Sequence, residues 1–180
     1  MGGYSEVINV IGAMIIFSMI LLNANHMIHR NSLIQIEGEF EQEIIALGQE
    51  IIEEALSKDF DRVTVDEVLP PTDIPGGFTP DSEFDCPNEK DRGDEDFEAF
   101  EDYHCWGDTV ETAHGTFEVS AEVFYVEKVD HGNDVYSFEP ANSQTTFKKI
   151  EVSVANEFLT GRDGEPLNYK LEFVRNYYAD

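Results

Sequence analysis

The chain has 180 residues, with 11 Lys and Arg against 38 Asp and Glu, which gives a formal net charge of -27 at pH 7. A surface this acidic repels nucleic acid, whose binding requires basic groups opposite the phosphates, and it disfavours docking on anionic lipid. The length allows one globular domain in addition to a long helix, and the charge suits a protein that works in water outside the cell.

One long helix is predicted for residues 1–58, which contain no proline. Residues 4–24 form its apolar half, in which the run from Val7 to Leu22 is almost wholly apolar. Ser5 is the predicted N-cap, and Glu6 follows in the first turn, where a carboxylate favours the positive end of the helix.

The second half of this helix, residues 25–58, is predicted to be amphipathic. Many glutamates occupy its wet face, and its apolar residues follow helical spacing; they are Leu33, Ile36, Phe40, Ile44, Leu47 and Ile51, joined by Ile45, Ile52 and Leu56.

The apolar run must lie in lipid or against copies of itself. It is short for a solitary membrane span, which needs about 20 residues, and Asn9 lies inside it. No Lys or Arg precedes the run and no A-x-A site follows it, so it differs from an ordinary signal peptide. His26 and His29 follow the run and predict a polar collar or, as the alternative, a shared metal site.

Residues 59–180 are predicted to form an acidic globular β domain. A short strand is predicted at Arg62–Val65, and residues 70–114 form an irregular region with a linker at 70–80. Cys86 and Cys105 lie in this region and predict a disulfide in an exported chain. The alternatives are two free thiols or a metal site, since His104 beside Cys105 also fits zinc.

The acidic stretch between the two cysteines is a candidate calcium site. Asp91, Asp94 and Asp96 alternate oxygen ligands near Gly93, which suits a hard cation. The alternative is a solvated acidic loop without an ion. Calcium is the one cofactor that the sequence indicates.

Three long segments alternate apolar and polar residues as β-strands do. They are Gly115–Val129, Thr145–Leu159 and Leu167–Tyr178, separated by turn-rich pieces. They predict an antiparallel β-meander whose apolar face is covered by the amphipathic half of the helix. The predicted fold class is therefore α+β, with a long N-terminal helix packed on a C-terminal sheet.

Motifs of common enzyme classes are missing from the sequence, which contains no H-E-x-x-H, no G-x-S-x-G, no P-loop and no dinucleotide-binding glycine pattern. Acidic residues are too numerous for any pair of carboxylates to indicate acid–base catalysis. The sequence therefore predicts a protein that is not an enzyme.

This layout resembles that of type IV pilins and pseudopilins. In that family a helix with an apolar first half and an amphipathic second half packs on an antiparallel sheet, and disulfides or calcium often secure the variable loops. A pilin also carries a glutamate at the fifth position of the mature helix, which Glu6 matches if Met1 is removed. The chain departs from the family in its first residues, where Met1-Gly2-Gly3-Tyr4 is shorter than a usual leader, and in lacking a proline in the apolar half.

The resemblance implies a structural subunit of an extracellular helical filament, such as a cell-adhesion pilus. The subunit is expected to be anchored in the inner membrane before assembly and to have further copies of itself as its partners. The implied assembly residues are Glu6, Val7, Ile8, Val10, Ile11, Ile15, Ile16, Phe17, Ile20 and Leu21.

In this family the glutamate is expected to pair with the N-terminal amine of a neighbouring subunit, and the alternative is that Glu6 caps its own helix. Two other functions remain open for the whole chain. One is a minor pseudopilin of a secretion or DNA-uptake machine, and the other is a membrane-anchored extracytoplasmic binding domain that never polymerises.

Overall fold

The computed structural model of the protein describes residues 3–66, 69–84, 86, 97–160 and 166–178. The chain divides into two compact units, Met1–Gln42 and Glu43–Asp180. The first unit is helical, and the second contains the end of that helix together with an antiparallel sheet, which confirms the predicted α+β class.

The first helix, α1, runs without interruption over Gly3–Ser57. No proline interrupts its backbone hydrogen bonds, so the apolar and amphipathic halves form one element. Because α1 begins at Gly3, the predicted N-cap at Ser5 is wrong, whereas Glu6 does lie in the first turn.

The second helix, α2, is short and covers Arg62–Asp66, where the sequence analysis predicted a strand. The β-branched residues of this segment favour a strand, but Asp61 acts as a helix N-cap. Its Oδ1 accepts the Val63 N–H at 3.1 Å, and its carbonyl oxygen accepts the Thr64 N–H at 2.8 Å. The local capping hydrogen bonds therefore outweigh the strand propensity.

Five antiparallel strands follow in the second unit: β1 (Trp106–Thr112), β2 (Gly115–Asp130), β3 (Tyr136–Pro140), β4 (Phe147–Thr160) and β5 (Pro166–Asn176). Their order is β1-β2-β4-β5, and β3 pairs with the end of β2. The predicted long strands correspond to β2, β4 and β5, whereas the shorter β1 and β3 were not predicted.

One face of the sheet is buried. Along β2 the residues Phe117, Val119, Ala121, Val123 and Tyr125 are buried and alternate with more exposed ones. The register places Val119 opposite Val154 and Val123 opposite Ile150, so β4 continues the same apolar layer. Val152 on β4 is paired with Leu171 on β5, which extends that layer to the edge of the sheet.

The end of α1 covers this layer with the buried residues Ile44, Gly48, Ile52 and Ala55, which share one helical stripe. Gly48 permits close approach, because a Cβ built there would lie 2.9 Å from Leu171 Cδ1. Packing of the amphipathic half on the sheet is thus confirmed for residues 43–57.

Candidate functional site

The first candidate site is the apolar helix surface, defined as residues 7–22 of α1. All nine predicted apolar assembly residues are between 52% and 67% exposed: Val7, Ile8, Val10, Ile11, Ile15, Ile16, Phe17, Ile20 and Leu21. Their positions in the helix point in every direction around its axis. This surface therefore differs from an amphipathic stripe, which would leave one polar face for solvent.

By length and composition alone, the helix from Glu6 onward is long and apolar enough to cross a membrane, and its most apolar stretch has no buried residue. Glu6 is exposed just before the apolar helix surface, and His26, His29 and Arg30 are exposed just after it. The apolar helix surface is thus bounded by ionisable side chains at both ends.

Cys86 and Cys105 form a disulfide, with their Cα atoms 5.0 Å apart, as the sequence analysis predicted. His104 lies close to both sulfurs, but its Nδ1 accepts the Val123 N–H at 3.2 Å. A zinc site requires thiolate sulfurs, and the disulfide occupies both of them. The structure therefore favours the disulfide over the zinc alternative. The predicted calcium residues Asp91, Asp94 and Asp96 lie outside the described residues.

The second candidate site is the buried charge cluster, defined as Asp61, Glu101 and Lys148. Lys148 Nζ lies 2.7 Å from Asp61 Oδ2 and 2.8 Å from Glu101 Oε2, and all three side chains are fully buried. Nζ also donates to the Phe60 carbonyl oxygen at 2.9 Å. Asp61 precedes α2, Glu101 lies in the 3₁₀ turn Phe100–Tyr103, and Lys148 projects from β4.

The two carboxylates of the cluster outnumber its single ammonium, and neutral donors stabilise the excess negative charge. Asp61 Oδ1 accepts the Thr79 N–H at 3.1 Å and the Thr79 hydroxyl at 2.8 Å, in addition to the Val63 N–H. The Tyr125 hydroxyl shares its single proton between Asp61 Oδ2 at 3.0 Å and the Thr79 carbonyl oxygen at 2.8 Å, and the Arg62 N–H donates to Glu101 Oε1. Each carboxylate is therefore solvated by protein instead of water.

These contacts set the protonation states around Asp61. Burial alone would raise the pKa of Asp61, but Lys148 and Thr79 outweigh it and hold that pKa below its usual value. Burial and the nearby Asp61 carboxylate raise the pKa of Tyr125 far above its usual value, so its hydroxyl remains a hydrogen-bond donor.

Aromatic rings enclose the Lys148 ammonium. Nζ lies 4.8 Å from the ring centre of Phe60, 5.1 Å from that of Tyr125 and 5.4 Å from that of Phe84. These distances are within the range of cation–π attraction. The rings also exclude water, which strengthens each charge interaction inside them.

The buried charge cluster joins the segment that follows α1 to the sheet. The Lys148 contact with the Phe60 carbonyl is matched by Arg175 on β5, whose Nη1 donates to the Lys58 carbonyl at 2.7 Å. Cations at the C-terminal end of a helix are favourable because carbonyl groups there lack helical partners. The sheet therefore supplies cations to the segment that follows α1.

The buried charge cluster was not predicted from the sequence, although the position of Lys148 on its strand gave an indication. Lys148 shares its strand face with Ile150, Val152 and Val154, all of which are buried. A lysine at an apolar register position indicates a buried partner. Asp61 and Glu101 could not be recognised as its partners, because they lie 87 and 47 residues away in an acid-rich chain.

Comparisons of the chain with protein-family models, with curated proteins and with solved structures found no match.

Proposed function

We propose that this protein is the structural subunit of an extracellular, pilin-like helical filament that assembles through the first part of α1. The observation that carries the proposal is the apolar helix surface, which is exposed around the whole circumference of the helix. Large exposed apolar surfaces mark interfaces with other proteins or with membranes. A surface that is apolar on every side fits the interior of a helix bundle made from several copies.

The acidic second unit fits the outside of such a filament. Most of the chain's net charge of -27 lies in this unit, where it keeps the coat hydrated and opposes unspecific association of neighbouring filaments. Contacts between unlike surfaces of identical copies produce an open helical polymer when the rotation between copies does not close. The mechanism is thus assembly, and it requires no bound substrate.

Helix α1 supports a location in the inner membrane before assembly, since by length and composition the helix from Glu6 onward is able to cross a bilayer. Residues 7–22 alone are shorter than the about 20 residues of a usual span. Asn9 and the neighbouring Glu6 favour packing against copies over permanent residence in lipid, because polar groups in a bilayer are costly unless they are paired. In the filament, Glu6 pairs with the N-terminal amine of an adjacent subunit and fixes the axial register.

The candidate from another class is a membrane-anchored extracytoplasmic domain that remains monomeric. The length and composition of helix α1 fit a membrane anchor as well as they fit a filament core. A minor pseudopilin of a secretion or DNA-uptake machine would use the same fold at lower copy number.

A pair of matched substitutions tests the assembly role. Ile15 and Ile45 are both exposed on α1, at 53% and 46%, but only Ile15 belongs to the apolar helix surface. We expect Ile15→Asn to reduce the fraction of full-length protein that sediments as polymer after detergent removal, and Ile45→Asn to leave it unchanged. Equal yields from the two variants would contradict assembly through residues 7–22.

A further inference from the structure

We propose that Lys148 and Asp61 condense to form an amide bond between Nζ and Cγ, with Glu101 relaying the proton. The inference concerns the buried charge cluster and does not depend on the proposed function. It assigns the cluster a covalent modification, made by the folded protein on itself.

The reacting groups are already in contact. Nζ lies 2.7 Å from Oδ2 of Asp61, and both side chains are fully buried. Holding two groups in this way is equivalent to an effective concentration of about 10⁵–10⁸ M for well-oriented intramolecular reactions. A condensation that is negligible between free side chains in water therefore becomes accessible inside the fold.

The other oxygen of Asp61 is placed to carry the charge of the tetrahedral intermediate. Oδ1 accepts the Val63 N–H, the Thr79 N–H and the Thr79 hydroxyl at distances of 3.1, 3.1 and 2.8 Å. Fixed donors around an oxygen that becomes negative are the arrangement that stabilises acyl-transfer intermediates. These donors also polarise the carbonyl of the product amide.

The proton balance closes without any further reactant. The Lys148 ammonium loses two protons, and its nitrogen lone pair forms the bond to Cγ. The bond from Cγ to Oδ2 breaks, and Oδ2 leaves with both protons as water. Glu101 Oε2, 2.8 Å from Nζ, accepts one proton and returns it to the leaving oxygen. The Tyr125 hydroxyl also lies within hydrogen-bond distance of Oδ2.

The condensation replaces one buried ion pair, Lys148 with Asp61, by a neutral amide. Phe60, Phe84 and Tyr125 surround Nζ, and buried charges are costly even when they are paired. The amide removes one positive and one negative charge, and Glu101 retains its negative charge, which is stabilised by the Arg62 N–H and by the remaining N–H of the new amide. The pKa of Asp61 is held below its usual value by Lys148 and Thr79, so Asp61 is a carboxylate before the reaction.

The bond would link the segment after α1 to β4, across 87 residues of sequence. Tension applied through α1 would then reach the sheet along a covalent path instead of through side-chain contacts.

The test is the intact mass of the full-length protein after denaturation and disulfide reduction. We expect it to be lower than the sequence mass by one water molecule. In a tryptic digest, residues 59–62 should be recovered joined to residues 129–149, because an acylated Lys148 is not cleaved. An unmodified mass for the folded wild-type protein would overturn the proposal.

Three variants locate the reaction. Lys148→Arg keeps the positive charge but cannot form this bond, and Glu101→Gln keeps the shape but cannot relay the proton, so both should show the full sequence mass. Lys149→Arg, one residue away on the opposite strand face, should retain the loss of water. A loss of water that persists in Lys148→Arg would overturn the assignment to this site, and one that persists in Glu101→Gln would overturn the role of Glu101.

Discussion

Replacement of Lys148 by methionine should strongly destabilise the second unit. Lys148→Met preserves much of the side-chain volume, but it leaves Asp61 and Glu101 as two buried carboxylates without their shared cation. Removal of one partner from a buried ion pair costs about 3–5 kcal/mol, because the remaining charge stays uncompensated; in molecules that have formed the proposed Lys148–Asp61 amide, the substitution removes that bond as well. The Phe60 carbonyl also loses its donor, so we expect the upper part of this range.

The matched control is Lys149→Met, the same substitution one residue along β4. Lys149 lies on the opposite face of the sheet, where Nζ bridges Glu151 at 2.8 Å and Glu172 at 2.7 Å. Glu172 is half-exposed, so solvent compensates for the lost contact, and the expected cost is about 1 kcal/mol or less.

The assay is equilibrium urea unfolding of the truncated chain 32–180, followed by tryptophan fluorescence from Trp106 and by circular dichroism. The difference in the free energy of unfolding between the two variants should be at least about 2 kcal/mol. Equal stabilities would show that the buried charge cluster does not hold the segment after α1 to the sheet.

Three further predictions use the same preparations. Glu6→Gln should nearly abolish filament yield without changing the melting temperature of the second unit, since the loss of one partner of a buried ion pair costs about 3–5 kcal/mol at each subunit contact. A normal filament yield would show that Glu6 has no role in the contact between subunits. Replacing Cys86 and Cys105 with serine should lower the free energy of unfolding by about 3 kcal/mol, and an unchanged urea midpoint would show that the bridge does not constrain the unfolded chain. Burial alone would raise the pKa of Asp102, but Arg62 and the neighbouring N–H groups hold this pKa below its usual value. The Asp102 carboxylate should therefore stabilise the fold above about pH 4, and this stabilisation should be lost as the pH falls through the lowered pKa. Asp102→Asn should weaken the acid dependence of the free energy of unfolding in urea titrations, and an identical pH profile would contradict the contribution of Asp102.

The elements that the sequence predicted correctly are those with long periodic patterns. Helix α1 and the strands β2, β4 and β5 are long enough for the period of their apolar residues to be unambiguous. The short strands β1 and β3 carry few buried residues, and their pairing with β2 depends on register instead of composition.

Segment 62–66 shows why a local prediction can fail. Its valines and threonine favour a strand, but the side chain and carbonyl of Asp61 satisfy the first N–H groups of a helix there. Asp61 is itself fixed by Thr79 and Lys148, which lie 18 and 87 residues away. Tertiary contacts therefore decide the local structure, and no window of sequence contains them.

The candidate sites differ in the same way. The apolar helix surface is a continuous run, so its residues were predictable from the sequence alone, although their assembly role stays a prediction. The buried charge cluster is assembled from three distant elements, and only the position of Lys148 among apolar residues signalled it.

Negative-stain electron microscopy of the purified full-length chain after detergent removal tests the central claim most directly. The proposed function predicts filaments of uniform diameter from the full-length chain and only monomeric particles from the truncated chain 32–180. A full-length chain that remains monomeric in detergent and in membranes would contradict the filament and favour the membrane-anchored domain. Filaments formed by the truncated chain would show that the first part of α1 is not the assembly element.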